Sequence, residues 1–198
     1  MHESLRFITE APVPDLGVIS LLGGMTKVRR FNPSEFAWRF SNLFQAECYL
    51  MTAPAVVDSP QTRQVLIDHC GLEDVFEQAK TVDAVLVSVG DITPDGTAYR
   101  YGIVTEELRR RVVSKGAVGD MLFNYFDKNG RLIDDPIQGC VMSVPLDTLK
   151  TIPLRIVASG GIHKVPSLLG ALRLFKPTTL ITDEHAAAAL LKLAGRPR

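Results

Sequence analysis

The sequence predicts an α/β fold: an open, mostly parallel sheet with helices on both faces. The first observation is a set of short apolar runs without polar alternation, typical of strands buried on both faces. The clearest of them spans residues 84–90. The second is that amphipathic stretches with helix start and stop signals separate these runs. Strands that alternate with helices favour parallel pairing, since each helix serves as a crossover.

The individual elements follow from local signals. A helix is predicted from Pro33, because Asn32 can cap it and proline is tolerated in a first turn. The predicted strands span residues 17–24, 48–53, 84–90, 154–159 and 178–182. The predicted helices span residues 33–44, 60–69, 72–81, 105–115, 146–152, 163–175 and 183–194.

The stretch between residues 116 and 144 breaks this alternation. It predicts a β-hairpin in which residues 120–126 and 131–134 flank a turn at 127–130, because Asp, Asn and Gly supply turn chemistry there. Residues 139–144 add another extended segment.

Length and charge limit the domain organisation and the class of function. The chain has 198 residues, which predicts a single domain over 1–198. Its 22 Lys and Arg residues balance 22 Asp and Glu residues. A DNA-binding domain normally carries a basic excess, so direct DNA binding by these residues is disfavoured.

Cysteine usage and hydropathy predict a cytoplasmic protein that does not enter a membrane. Cys48, Cys70 and Cys140 form no CxxC pair and are interpreted as small buried hydrophobic residues in a reducing compartment. No apolar run approaches the roughly 18 residues that a membrane-spanning helix needs.

The candidate ligand site comes from the position of the predicted strand ends. In an open parallel sheet, ligands bind beyond the carboxyl ends of the strands. Glycines follow three of the predicted strands at that position and would let a ligand approach the backbone closely. They are Gly23, Gly24, Gly90, Gly160 and Gly161.

The strongest local signal is the Gly160-Gly161 pair followed by Lys164. Free amides at the start of a helix attract anions, whereas a cation in the first turn opposes the helix dipole. A lysine beside such amides therefore favours a site in which a bound anion supplies the negative charge. The alternative is an ordinary glycine turn with a solvated lysine.

Asp120 is the candidate for contacts with sugar hydroxyls, since it follows two glycines at the start of a predicted strand. The alternative is an aspartate that caps a turn. His163 is the histidine nearest the predicted site and is a candidate acid or base. No cofactor or metal is predicted, because the four histidines are scattered without HxxH or HExxH spacing. Arg109, Arg110 and Arg111 would point to three sides of a helix, so a solvated surface is favoured over a phosphate site.

The order of motifs resembles the sugar-binding domain of SorC-type (SorC/DeoR-type) transcriptional regulators along nearly the whole chain. The resemblance implies a fold similar to that of glucosamine-6-phosphate deaminase and ribose-5-phosphate isomerase (the NagB/RpiA/CoA transferase-like fold). It also implies that Asp120 and Lys164 contact a phosphorylated sugar or polyol effector. The matching segments are Leu21–Gly24, Asn32–Pro33, Cys48–Pro54, Ala84–Gly90, Gly116–Asp120, Tyr125–Gly130, Ala158–Lys164 and Leu180–Glu184.

The resemblance further implies a homo-oligomer that contacts DNA only through a domain absent from this chain. Relative to the family pattern, we expect an N-terminal truncation that removes the first strand and its glycine-rich loop. The leading hypothesis is an effector-binding domain without enzymatic activity. The alternatives are a sugar-phosphate isomerase or deaminase on the same fold, and an oligomerisation module with a non-functional pocket.

Overall fold

The computed structural model describes residues 2–25, 32–100 and 102–194. The chain divides into two compact units. The first unit comprises residues 1–82 and 139–149, and the second comprises residues 83–138 and 150–198. Every ligand-site candidate except Gly23 and Gly24 belongs to the second unit.

Eight strands and eight α-helices occur in the described residues, with three short 3₁₀ helices. The strands are β1 (Gly17–Ile19), β2 (Glu47–Tyr49), β3 (Ala84–Val87), β4 (Gly90–Asp91), β5 (Ala117–Met121), β6 (Asn124–Asp127), β7 (Leu154–Ala158) and β8 (Thr179–Ile181). The helices are α1 (Pro33–Phe44), α2 (Pro60–His69), α3 (Glu73–Gln78), α4 (Thr97–Arg100), α5 (Glu106–Ser114), α6 (Leu146–Lys150), α7 (Val165–Phe175) and α8 (Glu184–Leu193). The 3₁₀ helices are His2–Phe7, Pro136–Cys140 and Ile162–Lys164.

The α/β class predicted from the sequence is confirmed, and the best-predicted helices are those with a capping residue. The Asn32 side chain accepts a hydrogen bond from the Ser34 amide at 3.2 Å, and α1 begins at Pro33 as expected. Ser59 caps α2 in the same way, through the Thr62 amide. Such caps satisfy amides that have no partner within the helix.

In the first unit, β1 and β2 pair in parallel, with Val18 opposite Cys48. The predicted extended segment 139–144 forms isolated bridges rather than a regular strand, for example between Leu22 and Ser143. Regular pairing is therefore shorter here than the apolar runs suggested.

In the second unit, β3, β7 and β8 form a parallel sheet with β7 in the centre. Val87 and Val157 lie opposite each other and are almost completely buried. Because the three strands run in the same direction, the segments that follow them emerge at one edge of the sheet. These segments begin at residues 88, 159 and 182.

The predicted strand 84–90 contributes to two sheets, which the sequence analysis did not predict. Its first part is β3 of the parallel sheet, whereas Gly90 and Asp91 form β4 and pair antiparallel with β5. An apolar run shows that a segment is buried but does not show which strands it pairs with.

The predicted hairpin is also corrected in detail. β5 and β6 pair antiparallel through a two-residue turn at Leu122 and Phe123, whose φ angles are 51° and 60°. Turns of this kind usually contain Asn or Gly at these positions, so neither residue signalled a turn. The expected second turn does exist, because the Gly130 amide donates to the Asp127 carbonyl and residues 131–133 return beside β6.

Helix α7 packs against β5 and β6, and two glycines permit the close approach. A Cβ atom at Gly119 would lie 2.4 Å from the Ser167 Cβ, and one at Gly170 would lie 2.7 Å from the Asp127 carbonyl oxygen. The helix that follows Lys164 is therefore held firmly on the sheet that carries Asp120. Fully buried side chains around this contact include Met121, Tyr125, Phe126, Leu168 and Phe175.

Two further expectations are changed by the structure. The cysteines are not buried: Cys70 is exposed, and Cys48 and Cys140 are half-buried. The three arginines of α5 do diverge, but only Arg110 is a largely solvated side chain. Arg109 pairs with Glu106, and Arg111 forms a two-pronged pair with the buried Asp135.

Candidate functional site

The candidate site lies in the second unit, where three chain segments leave the parallel sheet. They are the connection from β3 to β4, the loop after β7 and the loop after β8. This is the edge at which the sequence analysis placed a ligand site. The candidates Gly90, Asp120, Gly160, Gly161 and Lys164 are located on or beside these segments.

Lys164 is the last residue of the 3₁₀ helix that precedes α7. Its Nζ donates a hydrogen bond to the Val89 carbonyl oxygen at 3.0 Å, and the Ser159 hydroxyl donates to the same oxygen at 3.3 Å. Within the described ranges, no carboxylate lies close enough to form an ion pair with this ammonium. Lys164 therefore retains donor capacity and positive charge for a ligand.

Asp120 lies on β5 directly opposite Gly90. A Cβ atom at Gly90 would clash with the Asp120 Oδ1, so the absence of a side chain at Gly90 makes room for the carboxylate. The second oxygen, Oδ2, accepts a hydrogen bond from the Phe123 amide at 3.0 Å. Asp120 therefore also supports the β5–β6 turn, which was the alternative interpretation of this residue.

The electrostatic environment of Asp120 is unusual for a carboxylate. Loss of hydration raises the pKa of Asp120 to about 6, and the nearby Asp91 charge acts in the same direction. The Phe123 hydrogen bond and the Lys164 ammonium oppose this rise in pKa. The two side chains approach neighbouring residues, since Lys164 binds the Val89 carbonyl and the Asp120 carboxylate lies against Gly90. A carboxyl group that is held away from water gains from a ligand that donates hydroxyl hydrogen bonds to it.

We predict that Asp120→Asn stabilises the unliganded protein at pH 7 while it weakens ligand binding. The pKa of Asp120 in the folded protein lies above its ordinary value. The free energy of unfolding therefore falls as the pH rises from about 4 to about 6, where the carboxylate becomes charged. Asn carries no charge and can still accept from Phe123, so we expect a gain on the order of 1 kcal/mol at pH 7. Urea unfolding at pH 4 and pH 7 measures this, and a variant that loses stability at pH 7 would contradict the prediction.

The Gly160–Gly161 loop holds a carboxylate of the protein itself. The Gly161 amide donates to the Asp183 Oδ2 at 2.5 Å, and Oδ1 of the same carboxylate accepts from Ala186 and caps α8. A Cβ atom at Gly160 would lie 2.5 Å from Oδ2, so glycine is required for this approach. These hydrogen bonds lower the pKa of Asp183.

Asp91 and His163 form a second pair of titratable side chains near Asp120. Asp91 is buried, and its Oδ1 accepts hydrogen bonds from both the amide and the hydroxyl of Thr93. Its Oδ2 lies 3.8 Å from the His163 Nε2. The largely exposed imidazole of His163 therefore lies near a fixed carboxylate, at a distance beyond hydrogen-bond range.

Gly23 and Gly24 lie in the first unit, and their amides are used by the backbone there. The Gly23 amide donates to the Met142 carbonyl at 2.9 Å and the Gly24 amide to the Ala53 carbonyl at 2.7 Å. A Cβ atom at Gly23 would lie 2.6 Å from the Ala53 carbonyl oxygen. Gly23 therefore has a structural role that the sequence analysis did not predict, and the Gly24 amide is already hydrogen-bonded to the backbone.

Sequence reasoning missed two parts of this arrangement. The Val89 carbonyl, which binds Lys164, carries no side-chain signal. The reach of Asp183 back to Gly161 is also absent from the local pattern, although an aspartate directly before an alanine-rich apolar run is a recognisable helix cap.

An open depression of about 520 Å³ borders the glycine loop on the side of α8. Its lining is Gly161, Ile162, Asp183, His185, Ala188, Ala189 and Lys192. Asp120 and Lys164 are not among these residues, so the depression adjoins the charged site rather than enclosing it.

The described residues contain no group of three or more His, Cys, Asp or Glu side chains arranged to hold a metal ion. None of the helices in the described ranges is long and apolar enough to span a membrane.

Comparison with known proteins identifies the family. Residues 1–192 match the Sugar-bind family, described as "Putative sugar-binding domain". The erythritol catabolism regulatory protein EryD of Brucella abortus is 28% identical over 192 residues, which cover 96% of this chain and 60% of EryD. The transcriptional regulator LsrR of an Enterobacter species is 31% identical over 149 residues, covering 74% of this chain and 46% of LsrR.

Solved structures show the same fold. The full-length sorbitol operon regulator SorC from Klebsiella pneumoniae superposes with a TM-score of 0.87 at 21% identity, over 96% of this chain and 62% of that chain. A DeoR family transcriptional regulator from Listeria monocytogenes superposes with a TM-score of 0.85 at 24% identity, over 94% of this chain and 74% of that one. The chain thus spans about 60% of the length of EryD. It belongs to the Sugar-bind family, the sugar-binding domain of SorC/DeoR-type transcriptional regulators.

Proposed function

We propose that this domain binds a phosphorylated sugar or polyol as an effector. In this proposal the Lys164 ammonium binds the phosphate and the Asp120 carboxylate accepts hydrogen bonds from sugar hydroxyls. A ligand with one anionic group and several hydroxyl donors matches one free cation and one poorly hydrated carboxylate in both charge and hydrogen bonding.

The observation that carries this proposal is the arrangement around Val89 and Gly90. Lys164 is anchored to the Val89 carbonyl, and the Asp120 carboxylate lies over the adjacent Gly90. A fixed cation and a fixed carboxylate thus flank two consecutive residues, and the absence of a side chain at Gly90 is what admits the carboxylate. Such preorganisation reduces the ordering cost of binding.

Family membership supports a regulatory role for the whole protein. We propose that effector binding shifts the populations of alternative oligomeric arrangements and thereby the affinity for DNA, which contacts a domain outside this chain. We further propose a homo-oligomer, dimeric or tetrameric, that acts in the bacterial cytoplasm where its chromosomal target lies.

An enzyme is the second candidate, and the Asp91–His163 pair is the observation in its favour. A histidine oriented by a carboxylate is a common general base, and a sugar-phosphate isomerase or deaminase would need one. The similarity to the regulators EryD, LsrR and SorC favours a binding protein. A chain with a non-functional pocket would instead serve only as an oligomerisation module.

A thermal-denaturation screen tests the proposal. Purified protein is melted with phosphorylated pentoses, hexoses and polyols, and with the unphosphorylated form of each as the matched control. We expect at least one phosphorylated compound to raise the melting temperature where its unphosphorylated partner does not. No stabilisation by any member would contradict effector binding, and conversion of a compound to product, followed by NMR, would favour the enzyme.

A further inference from the structure

The glycine loop after β7 already holds an anion, the side chain of Asp183. Its Oδ2 accepts the Gly161 amide, and Gly160 leaves room for this oxygen. In the described part of the chain, the amides of Gly160, Ile162 and His163 donate to no acceptor. A carboxylate thus occupies one amide of a loop whose other amides are unused.

We infer that Asp183 sets the affinity of this site for anions by competing with the ligand for the Gly161 amide. The inference rests on the proposed function, because it assigns the incoming anion to the phosphate of the effector. A phosphate that approaches the loop meets a negative charge at the very amide it would use. It can bind there only after Oδ2 leaves Gly161.

The same contact discriminates between classes of ligand. A neutral sugar that binds through Asp120 does not need the Gly161 amide and can leave Asp183 in place. A phosphate dianion is repelled by the Asp183 carboxylate until that carboxylate leaves the Gly161 amide. The affinity ratio between phosphorylated and neutral compounds is therefore lowered by this residue. Removing its charge should raise that ratio.

Displacement of the Asp183 carboxylate from Gly161 also affects α8. The two oxygens of Asp183 bind amides on different elements: Oδ1 caps α8 through Ala186, and Oδ2 ties the cap to the glycine loop. When a phosphate takes the Gly161 amide, the cap can remain but its link to the loop is broken. Ligand occupancy is thus transmitted to the first turn of α8.

The substitution Asp183→Asn separates the effect of the carboxylate charge from that of the helix cap. Asn is as good a helix cap as Asp, but it has a single side-chain acceptor, which we expect to remain on Ala186. The variant should therefore melt close to the wild type and leave the Gly161 amide free. Glu184→Gln is the matched control, since it removes one negative charge from the next residue, whereas the carboxylate hydrogen-bonded to the Gly161 amide is that of Asp183.

The test is a titration with inorganic phosphate, followed by the ¹H–¹⁵N signal of the Gly161 amide. From the Coulomb energy of two charges about 4 Å apart in water, we expect Asp183→Asn to bind phosphate roughly five-fold more tightly than the wild type. Because exposed charges are screened, Glu184→Gln should change the affinity less than about two-fold.

The possible outcomes separate this inference from the proposed function. Equal or weaker phosphate binding by Asp183→Asn, or no shift of the Gly161 signal in either protein, overturns the competition. An equal gain in phosphate affinity in Asp183→Asn and Glu184→Gln also overturns the competition, because the gain would then come from the change in net charge and not from the Gly161 contact. The proposed function fails separately, when no phosphorylated compound stabilises the wild type in the melting screen.

Discussion

Replacing Lys164 by alanine is expected to abolish stabilisation by phosphorylated ligands. A ligand at 100 times its Kd adds about 2.7 kcal/mol to the free energy of unfolding of a protein that binds it. For a chain of this length, that corresponds to a rise of roughly 5–10 °C in melting temperature. The alanine variant lacks the ammonium that holds the phosphate, so the same compound should raise its melting temperature by less than about 1 °C.

Two controls make this result specific. Lys128→Ala removes the same charge from an exposed turn and should leave the ligand-induced shift unchanged. Lys164→Arg keeps a cation and should retain part of the shift, because guanidinium also binds phosphate. The assignment of Lys164 would be wrong if the alanine variant folded normally and still showed the full ligand-induced shift.

The second large effect is expected at Asp135, which is a structural residue outside the candidate site. Its side chain is completely buried and pairs with Arg111 and Lys115, each with N–O distances of 2.9 Å. Breaking a buried ion pair typically costs 3–5 kcal/mol, but here both cations are about 40% exposed and can regain water. We therefore expect Asp135→Asn to lower the free energy of unfolding by about 2–3 kcal/mol.

A matched control uses the same arginine. Glu107 lies 4.0 Å from Arg111 but is 89% exposed, so Glu107→Gln should cost less than about 0.5 kcal/mol. Chemical denaturation of the three proteins at pH 7 measures both values. A similar loss of unfolding free energy in Asp135→Asn and Glu107→Gln would show that the burial of Asp135 does not determine the size of its contribution.

The Asp135 effect should also depend on pH, with a sign that follows from its pKa. The Arg111 and Lys115 charges hold the pKa of Asp135 far below its usual range in the folded state. Its contribution is therefore complete above the unfolded pKa of about 4 and is lost as the pH falls below that value. The stability difference between wild type and Asp135→Asn should be constant from about pH 5 to pH 8 and should narrow below about pH 4.

Local chemistry explains which elements were predictable from the sequence. The start of α1 was predicted because Asn32 and Pro33 signal a helix start within two residues of each other. The break between β3 and β4 was not predicted, because the partner strands lie far along the chain: β3 pairs with residues 70 positions away, and β4 pairs with residues about 30 positions away. The turn at Leu122 and Phe123 was missed for the opposite reason: its residues are locally unfavourable for a turn and are stabilised by Asp120.

In the candidate site as well, local signals were readable from the sequence and long-range contacts were not. Lys164 and Asp120 were singled out because a lysine after a glycine pair and an aspartate after two glycines are visible in the sequence. The reach of Asp183 to Gly161 spans 22 residues and joins two loops that meet only when β7 and β8 pair. No local pattern contains that information.

The double use of the Asp120 carboxylate has a consequence for anyone who wishes to alter what this domain recognises. One oxygen lies against Gly90, in the space that a side chain there would fill, and the other secures a tight reversal of the chain built from bulky residues. Substituting this position by an aliphatic residue would damage recognition and local folding together, and the two losses would be indistinguishable in a binding assay. Redesign of selectivity should therefore vary Ser159 or His163, which follow β7, and leave position 120 with an oxygen acceptor.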